Sequence, residues 1–201
     1  MTFPSFSRRG GCEADGVVVI PPSLPPPRPL ERAPLLRQEG NHSAQGMHTA
    51  LDISLVVNGI SVTRRIPARQ HLIDFLREEL GLTGSHVGCE HGVCGTCTVR
   101  VDGKIVRGCL MLAVQADGRR VDTIEGLSDS GELAALQEAF HRRNALQCGF
   151  CTPGMLIAAQ DLVANEPGAS RERIREHLSG NYCRCTGYQA IVDAIEDVLR
   201  K

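Results

Sequence analysis

The sequence predicts an α+β protein in two parts: a small sheet that carries one helix, followed by an all-α part of four short helices. Two observations predict this. Before residue 125, the dipeptides Asn58-Gly59 and Asp102-Gly103 each sit between alternating apolar residues, the signature of a two-residue hairpin. After residue 130, apolar residues recur instead at spacings of three and four, the helical period. With 201 residues the chain is long enough for one or two domains and for a core that needs no disulfide staples.

Residues 1–46 are read as a Pro-rich leader outside the fold, because eight of the eleven prolines fall in the first 34 residues and neither helical nor strand period is visible. Ser7-Arg8-Arg9 is not followed by the apolar stretch that a twin-arginine signal needs, so a cytoplasmic location is expected. Met47 directly precedes the first patterned strand and is a candidate translation start.

Residues 47–127 form the first expected domain. Leu51, Ile53, Leu55 and Val57 alternate with Asp52, Ser54 and Val56 up to the Asn58-Gly59 turn, and Ile60, Val62 and Ile66 follow on the return strand. From His71 to Leu80, Leu72, Ile73, Phe75, Leu76 and Leu80 make an apolar stripe, with Gly81 placed to cap the helix. Val99, Val101 and Ile105 flank the second turn, and a short strand is expected near Val121 to Ile124.

Residues 128–201 form the second domain. Leu133, Leu136 and Phe140 share one face of a helix over 132–142. Pro153 opens a second helix to Ala164, and Ser170 can cap a third over 171–178. Thr186-Gly-Tyr-Gln189 fits a capping box for a fourth, whose stripe is Ala190, Ile191, Ala194, Ile195, Val198 and Leu199.

The formal net charge of −1 gives no electrostatic case for a nucleic-acid partner. The longest unbroken apolar run, Cys109 to Val114, has six residues against the roughly 20 of a membrane span, so a soluble protein is expected. The unusual count is nine cysteines beside no Trp, two Tyr and five Phe, too many thiols to serve packing alone.

Eight of those thiols fall into two sets. The first, Cys89, Cys94, Cys97 and Cys109, has the spacing C-x4-C-x2-C-x11-C and matches the plant-type ferredoxin pattern, in which four thiolates hold a [2Fe-2S] cluster. Three ligands from one loop demand a tight curl, which Gly88, Gly92 and Gly95 permit, and free N–H groups can then reach the sulfurs. A four-thiolate zinc knot favours two C-x2-4-C pairs rather than a triplet and a distant single cysteine.

The second set, Cys148-Gly-Phe-Cys151 and Cys183-Arg-Cys185, precedes two predicted helices, where the partial positive charge of a helix end favours anionic sulfur. Its spacing alone leaves zinc open. A thioredoxin-like redox pair would need a βαβ context, and the surroundings are helical. His86 and His91 read as hydrogen-bond formers in the loop. Cys12, in the leader, is left over.

Taken together, Cys89-Glu-His-Gly-Val-Cys94-Gly-Thr-Cys97, Gln147-Cys148-Gly-Phe-Cys151-Thr-Pro-Gly154 and Gly180-Asn-Tyr-Cys183-Arg-Cys185-Thr-Gly-Tyr188 resemble the small iron–sulfur subunit of the molybdenum hydroxylases. That family includes carbon monoxide dehydrogenase, aldehyde oxidoreductases, xanthine dehydrogenase and bacterial hydroxylases of N-heterocycles. The resemblance runs from about Leu51 to Leu199.

It implies an N-terminal β-grasp, plant-type ferredoxin-like domain, with Cys89, Cys94, Cys97 and Cys109 on the cluster nearer a flavin. It further implies an all-α four-helix domain, with Cys148, Cys151, Cys183 and Cys185 on the cluster nearer molybdenum. Gln147 then touches the molybdopterin and Cys185 lies close to it.

The activity it implies is electron transfer. Electrons from the molybdopterin site pass through two [2Fe-2S] clusters to FAD while an N-heterocycle or aldehyde is hydroxylated, or carbon monoxide oxidised, with water as the oxygen source. The chain turns nothing over alone.

The sequence has no G-x-G-x-x-G after a strand and no metal site beyond the thiols. The resemblance accordingly implies a large subunit with molybdopterin of the cytosine dinucleotide type and a medium subunit with FAD, joined as a dimer of heterotrimers. The alternative is a free-standing ferredoxin-type carrier, which the second domain and the lack of marked charge argue against.

Overall fold

Asn58 and Gly59 both take positive φ, 49° and 81°, as a two-residue turn between twisted strands requires. The strands on either side, β1 (Ala50–Val57) and β2 (Ile60–Pro67), pair antiparallel along their whole length. Asp102 and Gly103 repeat the device between β3 (Thr98–Val101) and β4 (Lys104–Arg107). The computed structural model describes residues 50–200, so the leader, Cys12 and Met47 lie outside the described residues.

A fifth strand, β5 (Arg120–Asp122), runs parallel to β1 and antiparallel to β3, completing a mixed sheet of order β2-β1-β5-β3-β4. The sheet face carrying Ile53, Leu55, Val57, Val99, Val101 and Val121 is buried against α1, the helical segment over residues 72–79. This is the β-grasp arrangement. Leu51, expected on the same face, is 42% exposed near the start of β1.

The predicted helix over 71–80 is only α-helical at its start, Leu72–Asp74, and continues as a π-helix over Phe75–Glu79. Gly81 ends it at φ 69°, and the Leu82 amide bonds back to the Leu76 carbonyl across the widened turn (2.9 Å). Arg77 donates to the carbonyls of Thr83 and Ser85, which ties α1 to the start of the cysteine loop.

β5 stops at Asp122, sooner than expected. The Asn58 carboxamide holds Thr123, accepting from its amide (2.8 Å) and donating to its hydroxyl (3.0 Å), and the chain turns there into a short helix that the sequence reading did not separate, α2 (Ile124–Asp129). The four predicted helices follow as α3 (Ala134–Arg142), α4 (Thr152–Asn165), α5 (Arg171–His177) and α6 (Gln189–Leu199).

Ser170 caps α5 as expected, accepting from the Arg173 amide. α6 has no capping box: its N-cap is Tyr188 at φ 68°, and Thr186 is used elsewhere. The helices enclose one core that includes Leu136, Phe140, Met155, Leu162, Ile174 and Ile195. α4 is the central member, in contact with α2, α3, α5, α6 and both strands of the second hairpin. Its residues from Gly154 to Ala159 are all buried, as befits a helix apolar around its circumference.

Arg100 of β3 fastens sheet to helices, pairing with the buried Asp122 (3.1 Å) and, through both ends of its guanidinium, with Glu132. No helix among the described residues is long and apolar enough to cross a membrane.

Candidate metal centres

The first thiol set is built by the loop between α1 and β3. Glu90, Gly92 and Gly95 all take positive φ, which curls the chain so that amides point inward. Cys89 Sγ accepts from the amides of His91 and Cys94, each at 3.4 Å. These donors stabilise the thiolate and bring the Cys89 thiol down to about 6. Cys97 and Cys109 lie deeper, each 2% exposed, with Ile73 and Val87 around them. Burial pushes the Cys97 thiol up to about 12. The Gly108 amide bonds to the Cys97 carbonyl, bringing the hairpin end and its Cys109 onto the loop.

The second set lies where α4 begins and where the segment before α6 crosses it. Cys151 is the N-cap of α4, but the anionic sulfur that the helix-end argument expects is not favoured there, because burial outweighs it and pushes the thiol up to about 12. Cys183 and Cys185 sit further from α6 than expected, since that helix starts only at Gln189. Their loop is held by side chains instead: the Tyr188 hydroxyl accepts from the Cys183 amide (2.9 Å), and the Thr186 hydroxyl donates to Cys183 Sγ (3.1 Å). Burial opposes ionisation of Cys183, yet the hydrogen bonds from Thr186 and from the Cys185 amide win and bring it down.

Each set therefore divides into two sulfur pairs. Cys97 neighbours Cys109, Cys151 neighbours Cys183, Cys89 neighbours Cys94, and Cys148 lies 3.5 Å from Cys185; Cys97 and Cys109 are buried, Cys148 and Cys185 exposed, and the other four half-buried. All eight are free thiols. Among the described residues no three His, Cys, Asp or Glu side chains converge as a single metal ion would need. Donors in neighbouring pairs would suit a two-metal cluster held by four thiolates. Burial raises Cys97 and Cys151, and the positive charge of a bound metal would offset that, since it deprotonates a coordinating thiol outright.

Gln147 is exposed in the bend before Cys148, and Cys148 and Cys185 are exposed with it. His86 stacks on Phe150 (4.7 Å between ring centroids, 7° between planes) and its Nδ1 hydrogen-bonds the Phe150 carbonyl, joining the first cysteine loop to the second motif. His91 contributes its backbone amide. The two sets meet directly: the Tyr182 amide donates to the Cys94 carbonyl at 2.8 Å. Thr186, Tyr188 and Asn181, which the sequence offered only as a capping box or as parts of the family motif, and Arg107, which it did not single out, all serve this region, and none stands out by residue type.

Residues 55–125 match the 2Fe-2S iron-sulfur cluster binding domain, and residues 123–196 match the [2Fe-2S] binding domain. The chain is 54% identical over 149 residues to the caffeine dehydrogenase subunit gamma of Pseudomonas sp. (strain CBB1), covering 73% of this chain and 89% of that one. It is also 54% identical over 147 residues to the nicotine 6-hydroxylase small subunit of Paenarthrobacter nicotinovorans, covering 73% and 88%.

Among solved structures, quinoline 2-oxidoreductase from Pseudomonas putida 86 superposes with a TM-score of 0.71 at 52% identity, covering 75% of this chain and 93% of that one. Aldehyde oxidoreductase from Desulfovibrio gigas superposes at 0.68 and 41% identity, with 74% of this chain matching 17% of that longer one. The chain belongs to the small [2Fe-2S] iron–sulfur subunits of the molybdenum hydroxylases. It is an electron-transfer subunit of an oxidoreductase rather than a free ferredoxin.

Proposed function

We propose that Cys89, Cys94, Cys97 and Cys109 hold one [2Fe-2S] cluster and Cys148, Cys151, Cys183 and Cys185 the other. The observation that carries this is that the fold brings the four thiols of each set together as neighbouring pairs. When bound, such clusters take up and release single electrons. The chain's own part is to hold eight sulfurs in place, to aim amides at Cys89 and a hydroxyl at Cys183, and to bury Cys97 and Cys109.

The exposed trio Gln147, Cys148 and Cys185 is the face turned to the molybdopterin of a large partner subunit, with Cys185 beside it. The cofactor there is of the cytosine dinucleotide type, and FAD sits on a medium subunit. The complex is a cytoplasmic dimer of heterotrimers. The chain divides at about residue 127, between domains over 47–127 and 128–201, with α2 at the seam and residues 1–46 as a leader.

Caffeine, nicotine and quinoline, named in three of the relatives, are all nitrogen heterocycles. That supports hydroxylation of an N-heterocycle, with water as the oxygen source, over an aldehyde or carbon monoxide.

The test is metal content of the complex that copurifies with this chain, tagged in its native host. Iron and molybdenum at about four to one, with FAD and two larger chains, is expected; iron without molybdenum returns the free carrier, and zinc alone overturns the reading. In that complex Cys94→Ser removes one of two paramagnetic resonance signals, and retention of both would refute the ligand assignment.

A further inference from the structure

Asn181 lies between the two thiol sets, 3% exposed, with its side-chain hydrogen-bonding groups engaged on every side. Its Nδ2 donates to the carbonyls of Gly95 (3.2 Å) and Gly154 (3.1 Å). Its Oδ1 accepts from Arg107 Nη2 (3.1 Å), which donates also to the Gly180 carbonyl (2.8 Å). Arg107 is anchored in turn by the buried Thr98 hydroxyl.

The partners are the significant feature. Gly95 stands between Cys94 and Cys97, Gly154 follows Cys151 in the first turn of α4, Arg107 ends the strand leading to Cys109, and Asn181 itself leads into Cys183. One carboxamide thus braces every segment that delivers a thiol. The packing leaves no slack: a Cβ added at Gly95 would stand 2.4 Å from the Gly180 carbonyl oxygen, and one at Gly154 would stand 2.3 Å from that of Gly95.

The chemistry is specific to an amide. Two donors meet two carbonyls, and one acceptor meets a guanidinium. Aspartate would set an acceptor against the two carbonyls, and an apolar residue would leave both carbonyls and the guanidinium unpaired in a buried place. The next peptide along, at Tyr182, makes the hydrogen bond to the Cys94 carbonyl that joins the sets. Its alignment depends on Asn181 being held.

We propose that Asn181 is a positioning residue that fixes the separation and mutual orientation of the two iron–sulfur centres. The proposal rests on the ligand assignment above. It is tested in the purified, fully reduced complex by the magnetic splitting that each centre imposes on the other's paramagnetic resonance signal, a quantity that depends on their distance and orientation.

The unsubstituted complex shows that splitting, and Asn181→Asp keeps iron and both signals while the splitting narrows or is lost. An unchanged splitting in an iron-complete Asn181→Asp complex overturns the proposal, even if its unfolding temperature drops, because an asparagine that only stabilises the fold would behave in that way. An unsplit spectrum of the unsubstituted, iron-complete complex overturns it as well.

Should Asn181→Asp not assemble, Arg107→Gln decides, since it frees Oδ1 of the guanidinium and leaves both Asn181 donors: altered splitting supports the proposal and unaltered splitting ends it. Failure of the ligand assignment itself looks different, as iron well below about four atoms per chain, or a single cluster signal, in the unsubstituted complex.

Discussion

Thr186 shows how a single hydroxyl can serve a redox site without being a ligand. It donates to Cys183 Sγ at 3.1 Å and accepts from the Tyr188 amide at 3.2 Å, and Tyr188 then takes a left-handed backbone that few residues of its kind adopt. A donor on a ligand sulfur favours the more negative, reduced state of the centre it serves. Thr186→Val is expected to lower the reduction potential of the second centre by roughly 45 mV, the one-electron equivalent of about 1 kcal/mol for one such bond. Redox titration followed by paramagnetic resonance reads this directly, with the first centre as internal reference: an equal shift in both, or in neither, would contradict the role.

The capping-box reading of Thr186 failed for a related reason. The S/T-x-x-Q pattern was present, but the hydroxyl is drawn to the sulfur, and Tyr188 ends its loop in a conformation that makes it the N-cap itself.

At the scale of elements, the packing of α6 against α3 is fastened by Asp197, which accepts a forked pair of bonds from Arg143 (2.8 and 2.7 Å) and one from Arg142 (3.0 Å). Those guanidiniums hold its carboxyl well below the usual carboxylate range. A carboxylate depressed in the folded state contributes stability that is complete above the unfolded value of about 4, and that contribution drains away as pH falls toward the folded value. Asp197→Asn therefore lowers the unfolding temperature at pH 7, and the difference from the unsubstituted protein shrinks as pH is taken below about 4. A difference constant down to pH 3 would contradict the pairing.

Sheet and helices were legible as elements because each has its own apolar period. The π-helical second half of α1 and the early end of β5 were not; β5 ends where Asn58, 65 positions away in sequence, holds Thr123.

At the scale of the whole molecule, large apolar side chains stay in solvent around the thiol loops: Leu110 is 61% exposed, Val93 and Tyr182 51% each and Phe150 47%. Leu110 lies across Gly92, where an added Cβ would meet it at 2.2 Å, so the rim of the first loop is itself apolar. A collar of this kind beside redox sites suits burial in an assembly. Leu110→Asp is expected to keep iron bound while reducing copurification of at least one larger chain. Full recovery of both larger chains would place the contact elsewhere.

What the sequence determined by itself was the chemistry and the parts list. Cysteine is rare enough, and its spacing constrained enough by the geometry of a shared cluster, that both thiol sets, the two hairpins and the four longer helices could be read from residue order. What only the tertiary structure decided was how those parts meet: the pairing of sulfurs across each set, the fastening of the Asn58 turn to α2, and the convergence of four thiol-bearing segments on Asn181. The reason is physical. Ligand spacing and apolar period are local and repeat along the chain, whereas a buried carboxamide, a threonine or an arginine gains its meaning from donors and acceptors that folding alone brings within 3 Å or so.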